Sequence, residues 1–103
     1  TAAMYGAEVT IFESTDRLGK KLAITGKGRC NVTNDCTGAE VLQNVPRNGR
    51  FLYSALFACP PEDVKQFFEA MGCPLKTERG NRVFPVSDHS SDVIAAFVRE
   101  LKN

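Results

Sequence analysis

The 103-residue chain has no tryptophan, a single histidine at His89, and four cysteines, none of them in a C-x-x-C pair. Structural zinc sites use close ligand pairs at that kind of spacing, and Cys30, Cys36, Cys59 and Cys73 do not provide one, so no metal is expected. An excess of either charge is also missing. With 13 Lys and Arg against 12 Asp and Glu the net charge is +1, which removes the electrostatic case for a nucleic-acid or membrane-surface partner. No apolar run approaches the ~18 residues of a spanning helix, and the opening residues do not read as a signal peptide, so the cytoplasm is the expected compartment. Nor is there a Ser-His-Asp set, a carboxylate pair or a metal cluster. Any chemistry is therefore expected to belong to a cofactor, with His89 a surface or capping residue in the loop before a helix.

What is present is the composition of an ordinary globular segment, 43% hydrophobic and 24% charged. Thr1 to Gly6 reads as the last turn of a helix with its glycine stop. Glu8 to Glu13 carries four β-branched or aromatic residues in succession and reads as a strand buried on both faces. Helix, Gly-Ala, strand and terminal acid make up the second half of a β-α-β dinucleotide-binding unit, and Glu13 stands where such units place the acid that binds a ribose hydroxyl. The glycine loop of that unit would precede Thr1. The chain therefore reads as an incomplete fragment of a larger protein, lacking the first strand and the glycine-rich loop.

Ser14 to Gly19 reads as loop, followed by Lys20-Lys21 and an extended stretch at Leu22 to Ile24. Asp35 to Arg50 shows little periodicity and suggests loop with one short strand around Val41, and Phe51 to Cys59 reads as a short helix. From Pro61 the pattern of Glu62, Asp63, Val64, Phe67, Phe68, Met71 and a stop at Gly72 predicts an amphipathic helix. Cys59 and Cys73 flank it and are expected to be buried thiols. Leu75 to Glu78 and Arg82 to Phe84, joined by Arg79-Gly80-Asn81, predict a hairpin. Ser87 to Ser91 offers several N-caps for a second amphipathic helix with Ile94, Phe97, Val98 and Leu101 on its apolar face.

The most distinctive stretch is Thr25 to Asn34, T-G-K-G-R-C-N-V-T-N. Gly26 and Gly28 allow close backbone approach to a ligand, and Lys27 and Arg29 make the same loop attractive to an anion. With Arg17-Leu18-Gly19-Lys20-Lys21 before it and R-V-F-P-V-S-D-H-S after it, the sequence resembles the BaiN/YhiN-like family of bacterial flavoproteins. Its G-K-K-L-x-I-T-G-x-G-R-C-N-x-T-N signature is matched almost throughout.

That resemblance implies the N-terminal part of an FAD-binding domain, α/β and partly Rossmann-like, followed by helices and a short hairpin. It implies an oxidoreductase that passes hydride from NAD(P)H through FAD to a small organic acceptor. Glu13, with Ser14 beside it, would meet the adenosine ribose, and Lys20 or Lys21 the pyrophosphate. Gly26, Gly28, Arg29, Cys30 and Asn31 would line the flavin side, with Asn34 fixing the loop or touching the ring. On their own, these 103 residues are expected to bind FAD weakly or not at all and to be inactive.

Two other readings compete. Cys30 and Cys36 stand about where flavin-dependent disulfide reductases carry their redox pair, but five residues separate them instead of four. A non-catalytic phosphate-binding or interaction module is the other, although Gly26-Lys27-Gly28-Arg29 lacks the G-x-x-x-x-G-K spacing of a nucleotide P-loop.

Overall fold

The computed structural model describes all 103 residues. At its centre is the hairpin read from the sequence: β2 (Leu75–Glu78) and β3 (Arg82–Pro85) run antiparallel, with Leu75 opposite Pro85 and Glu78 opposite Arg82. The connection bends through Gly80 (φ 76°) and Asn81 (φ 57°), both left-handed, where glycine and asparagine are the least strained residues. The other edge of β3 takes a strand that hydrophobic pattern did not suggest, β1 (Thr33–Asn34), also antiparallel, so the sheet order is β1-β3-β2. Val32 N–H donates to the Val83 carbonyl (2.8 Å) and Asp35 N–H to that of Asn81 (2.7 Å), extending the contact beyond the two-residue ladder.

Five helices surround this sheet: α1 (Lys20–Ile24), α2 (Gly38–Gln43), α3 (Tyr53–Ala58), α4 (Pro61–Ala70) and α5 (Ser90–Lys102). The two long ones follow the sequence reading. Pro61 opens α4, Glu62 and Asp63 occupy its first turn, and Gly72 in the left-handed region follows its end. Phe68 from α4 and Val93 and Ala96 from α5 meet Cys30 and Cys73 in a buried cluster, backed by Leu22, Val32, Val64, Met71 and Leu75. The Phe68 and Phe97 rings pack edge to face at 5.3 Å, tying the two helices together. Gly19, the left-handed N-cap of α1, lies so close to α5 that a Cβ there would stand 2.9 Å from Ile94 Cγ1.

Several expectations are corrected. Residues 8–13 form no ladder, and Val9 (49%), Ile11 (54%) and Phe12 (93%) are exposed instead of buried on both faces. The three strands of the sheet pair among themselves, and none of them pairs with this segment. Leu22 to Ile24 is helical instead of extended, because Gly19 starts a turn there that places Leu22 against the core. Val41 lies in a helix instead of a strand. A capping box in which the Thr37 hydroxyl accepts from Glu40 N–H, and the Glu40 carboxylate from Thr37 N–H, fixes α2 despite its β-branched residue. Cys73 is buried as expected, whereas Cys59, at the end of α3, is exposed. The short turn Ala2–Tyr5 does end at Gly6, which is left-handed (φ 83°).

Candidate functional site

The glycine-and-cation loop leaves α1 at Thr25, whose hydroxyl donates to the Leu22 carbonyl at 2.7 Å. Gly26, Lys27 and Gly28 then all adopt left-handed φ values of 53°, 55° and 85°. After Arg29 the chain returns to that region at Cys30 (φ 58°), which drives the thiol into the core, where the residue is 2% exposed. A Cβ on Gly26 would come within 2.9 Å of Asn31 N, so the loop folds tightly on itself there. At Gly28, by contrast, a Cβ would meet nothing within 4 Å. The N–H groups of Arg29 and Cys30, expected along a ligand, already donate to the carbonyls of Gly26 (3.2 Å) and Thr25 (3.1 Å).

The second motif closes over the first. Arg29 donates from Nε (2.9 Å) and Nη2 (2.6 Å) to Asp88 Oδ1, and from Nη2 to Glu78 Oε2. Lys76 donates to Asp88 Oδ2 (2.7 Å) and also stands 3.1 Å from Glu78 Oε2. The guanidinium lies 3.9 Å from the centroid of the buried Phe84 ring. Hydrogen bonds from Lys76 and Arg29 hold the Asp88 carboxyl below its ordinary range, and those from Arg29 and Lys76 do the same for Glu78. Arg29 and Lys76 are in turn raised, chiefly by bonds to Asp88 and then Glu78. Ser90, at the start of α5, donates its hydroxyl to the Ala23 carbonyl at 2.8 Å, adding a third tie between the two motifs.

The other residues singled out from the sequence divide between the loop's scaffold and the exposed surface. The Asn31 amide, oriented to donate, reaches the carbonyls of Thr33 (2.9 Å) and Val83 (3.1 Å), and Asn34 donates to Gly80 O at 3.0 Å. Both pin the loop to the hairpin. Glu13 is exposed and accepts from Thr15 N–H at 2.9 Å, next to an exposed Ser14. Lys20 pairs with Asp16 at 3.1 Å on the surface, and Lys21 is exposed without a partner. His89 is exposed at the N-cap of α5, where its side chain caps nothing. Sequence reasoning missed Lys76, Glu78 and Phe84. Asp88 was visible inside F-P-V-S-D, but nothing in its spacing disclosed that it would meet Arg29.

Over residues 1–103 the chain matches the family model described as the HI0933-like protein Rossmann domain. The chain belongs to the HI0933-like family. It is 31% identical over 96 residues to a 3-dehydro-bile acid delta(4,6)-reductase of Clostridium scindens, an alignment that covers 93% of this chain and 23% of the relative. The chain thus spans about a quarter of that curated relative's length. These matches bear out the resemblance to the BaiN/YhiN-like flavoproteins, and with it an α/β fold carrying part of a Rossmann unit followed by helices and a hairpin. No helix of this HI0933-like chain is long and apolar enough to cross a membrane.

The cysteines of this HI0933-like chain offer little to a disulfide mechanism. Cys30 is sealed in the core, and the Cys36 thiol is raised first by burial and then by Glu40 and Asp35, which disfavours the nucleophilic thiolate. All four cysteines are free.

Proposed function

We propose that this chain supplies part of the FAD-binding domain of an oxidoreductase that reduces an organic acceptor at the expense of NAD(P)H. The observation that carries the reading is the loop itself. Three successive left-handed residues end at a glycine with open space on its outer side, backed by a charge-matched scaffold from a distant motif. Glycine adopts this region freely, so Lys27 is the strained one of the three, and such strain, held in place by its surroundings, clusters at ligand sites.

On this reading the residues would be shared along a dinucleotide. Glu13, which accepts from Thr15 N–H through one carboxylate oxygen, and Ser14 are exposed where they would meet a ribose, and Lys21, with Lys20 if it leaves Asp16, would be the exposed cation for a pyrophosphate. The Gly26 to Asn31 loop, with Arg29 and Cys30 as its inner supports and Asn34 pinning its far end, would line the flavin side. FAD, when bound, supplies the two-electron relay between a reduced nicotinamide and the acceptor. The protein's share is to bind and orient it and to hold the loop still. The relative's name supports an unsaturated organic compound as acceptor.

The test is anaerobic addition of NADPH, and separately NADH, to the full-length protein. Bleaching of a visible flavin band by at least one nucleotide is expected, with no new titratable thiols. Release of two thiols on reduction would favour the disulfide reading instead, and a colourless protein indifferent to both nucleotides would refute the proposal.

A further inference from the structure

The loop carries two cations two residues apart, and the fold treats them differently. Arg29 turns inward over Phe84, and its charge is met by Asp88 and Glu78, with Lys76 completing a group of two cations and two anions. Such a matched set leaves little charge to offer a ligand. Lys27 makes no ion pair and no side-chain hydrogen bond, is exposed, and holds φ at 55° between two left-handed glycines. A lysine in that region is strained relative to glycine, and no interaction within the chain compensates for it.

The geometry points to Lys27 as the residue that contacts an anionic group of the bound dinucleotide, while Arg29 fixes the loop from behind. This rests on the flavin reading above. The group it would meet carries delocalised negative charge and accepts from an ammonium: the pyrophosphate, or the isoalloxazine ring once reduced. A lysine suits either, being a mobile point charge with three donors on a flexible stem. At Gly28, next to it, a Cβ would meet nothing within 4 Å beyond the adjoining residues, so there is room for a ligand against the backbone there. Lys27 was part of the reason for reading this loop as anion-attracting, yet the residue expected to act on the flavin was Arg29. Here that role is proposed for Lys27 instead, because Arg29 is already paired with Asp88 and Glu78.

The test compares wild-type, Lys27→Gly, Lys27→Gln and Lys27→Arg full-length holoproteins. Glycine suits the local backbone, so Lys27→Gly is expected to keep or raise the melting temperature while deleting the charge. If the anion is the pyrophosphate, FAD affinity measured by flavin fluorescence falls about tenfold in Lys27→Gly and Lys27→Gln. If it is the reduced ring, affinity for oxidised FAD holds, while the flavin midpoint potential and its affinity for sulfite both fall. Lys27→Arg restores whichever quantity moved. A wild type replete with flavin, alongside a Lys27→Gly protein of unchanged affinity, potential and sulfite binding, overturns this assignment alone. A wild type that takes up no flavin overturns the functional reading as well.

Discussion

Individual residues in the loop and its scaffold are held by sterics and charge that can be probed one at a time. Gly19 has φ +75° and Ile94 Cγ1 would lie 2.9 Å from any Cβ, so Gly19→Ala strains the backbone and pushes on α5 together. Loss of roughly 2 kcal/mol is expected, read as a fall in denaturation midpoint. The carboxylates of Asp88 and Glu78 respond to pH instead. Both are depressed in the folded state, so the unfolded chain binds protons more readily; their contribution is complete above the unfolded carboxyl values and is lost as pH falls through the folded ones. Stability should thus drop between about pH 5 and pH 2, and Asp88→Asn should flatten that acid limb in melting curves taken across the range. An unchanged limb would mean that Asp88 does not carry the linkage. The sequence disclosed Arg29 as important because two glycines and a signature surround it. It did not disclose the direction of its charge, which depends on residues 49 and 59 positions away.

At the level of elements, what the sequence made plain was whatever had local cause. Helices α4 and α5 carry their own first-turn acids and apolar stripes, with Pro61 opening α4, and the hairpin carries its own Gly-Asn turn, so each forms where the pattern says even though neither helix has a side-chain N-cap. The failures are equally physical. Val9, Ile11 and Phe12 have strand propensity, but a strand needs a neighbour and the three strands here are paired elsewhere. Helix α2 was hidden because its decisive signal is the reciprocal Thr37 and Glu40 cap, not periodicity. Thr37→Ala should accordingly cost ~1 kcal/mol and lower helical content. Phe68, 8% exposed and packed against Phe67 and Phe97, anchors α4 to α5, and Phe68→Ala should cost roughly 3 kcal/mol in a denaturant titration. A loss below about 1 kcal/mol would mean that this cluster is not the core of the unit.

For the molecule as a whole, two motifs separated by some fifty residues of sequence become one structure: the end of the Thr25 to Asn34 loop pairs with β3, Asp88 fastens the loop through Arg29, and Ser90 fastens the preceding helix α1 through the Ala23 carbonyl. Family membership over residues 1–103 says that this arrangement belongs to a Rossmann-type domain, and the open side of Gly28 and the unpaired Lys27 are where the proposed cofactor would lie. The same packing decides which thiols are reachable. Cys30 and Cys73 are 2% exposed and should resist alkylation in the native protein, whereas Cys59 should be modified first when labelled sites are mapped by mass. The most direct test of the central claim is the visible absorption spectrum of the full-length protein as purified, followed by chromatography of whatever denaturation releases. A flavin spectrum with stoichiometric FAD in the supernatant is the predicted result. A protein with no visible absorption that also fails to take up added FAD would contradict the account.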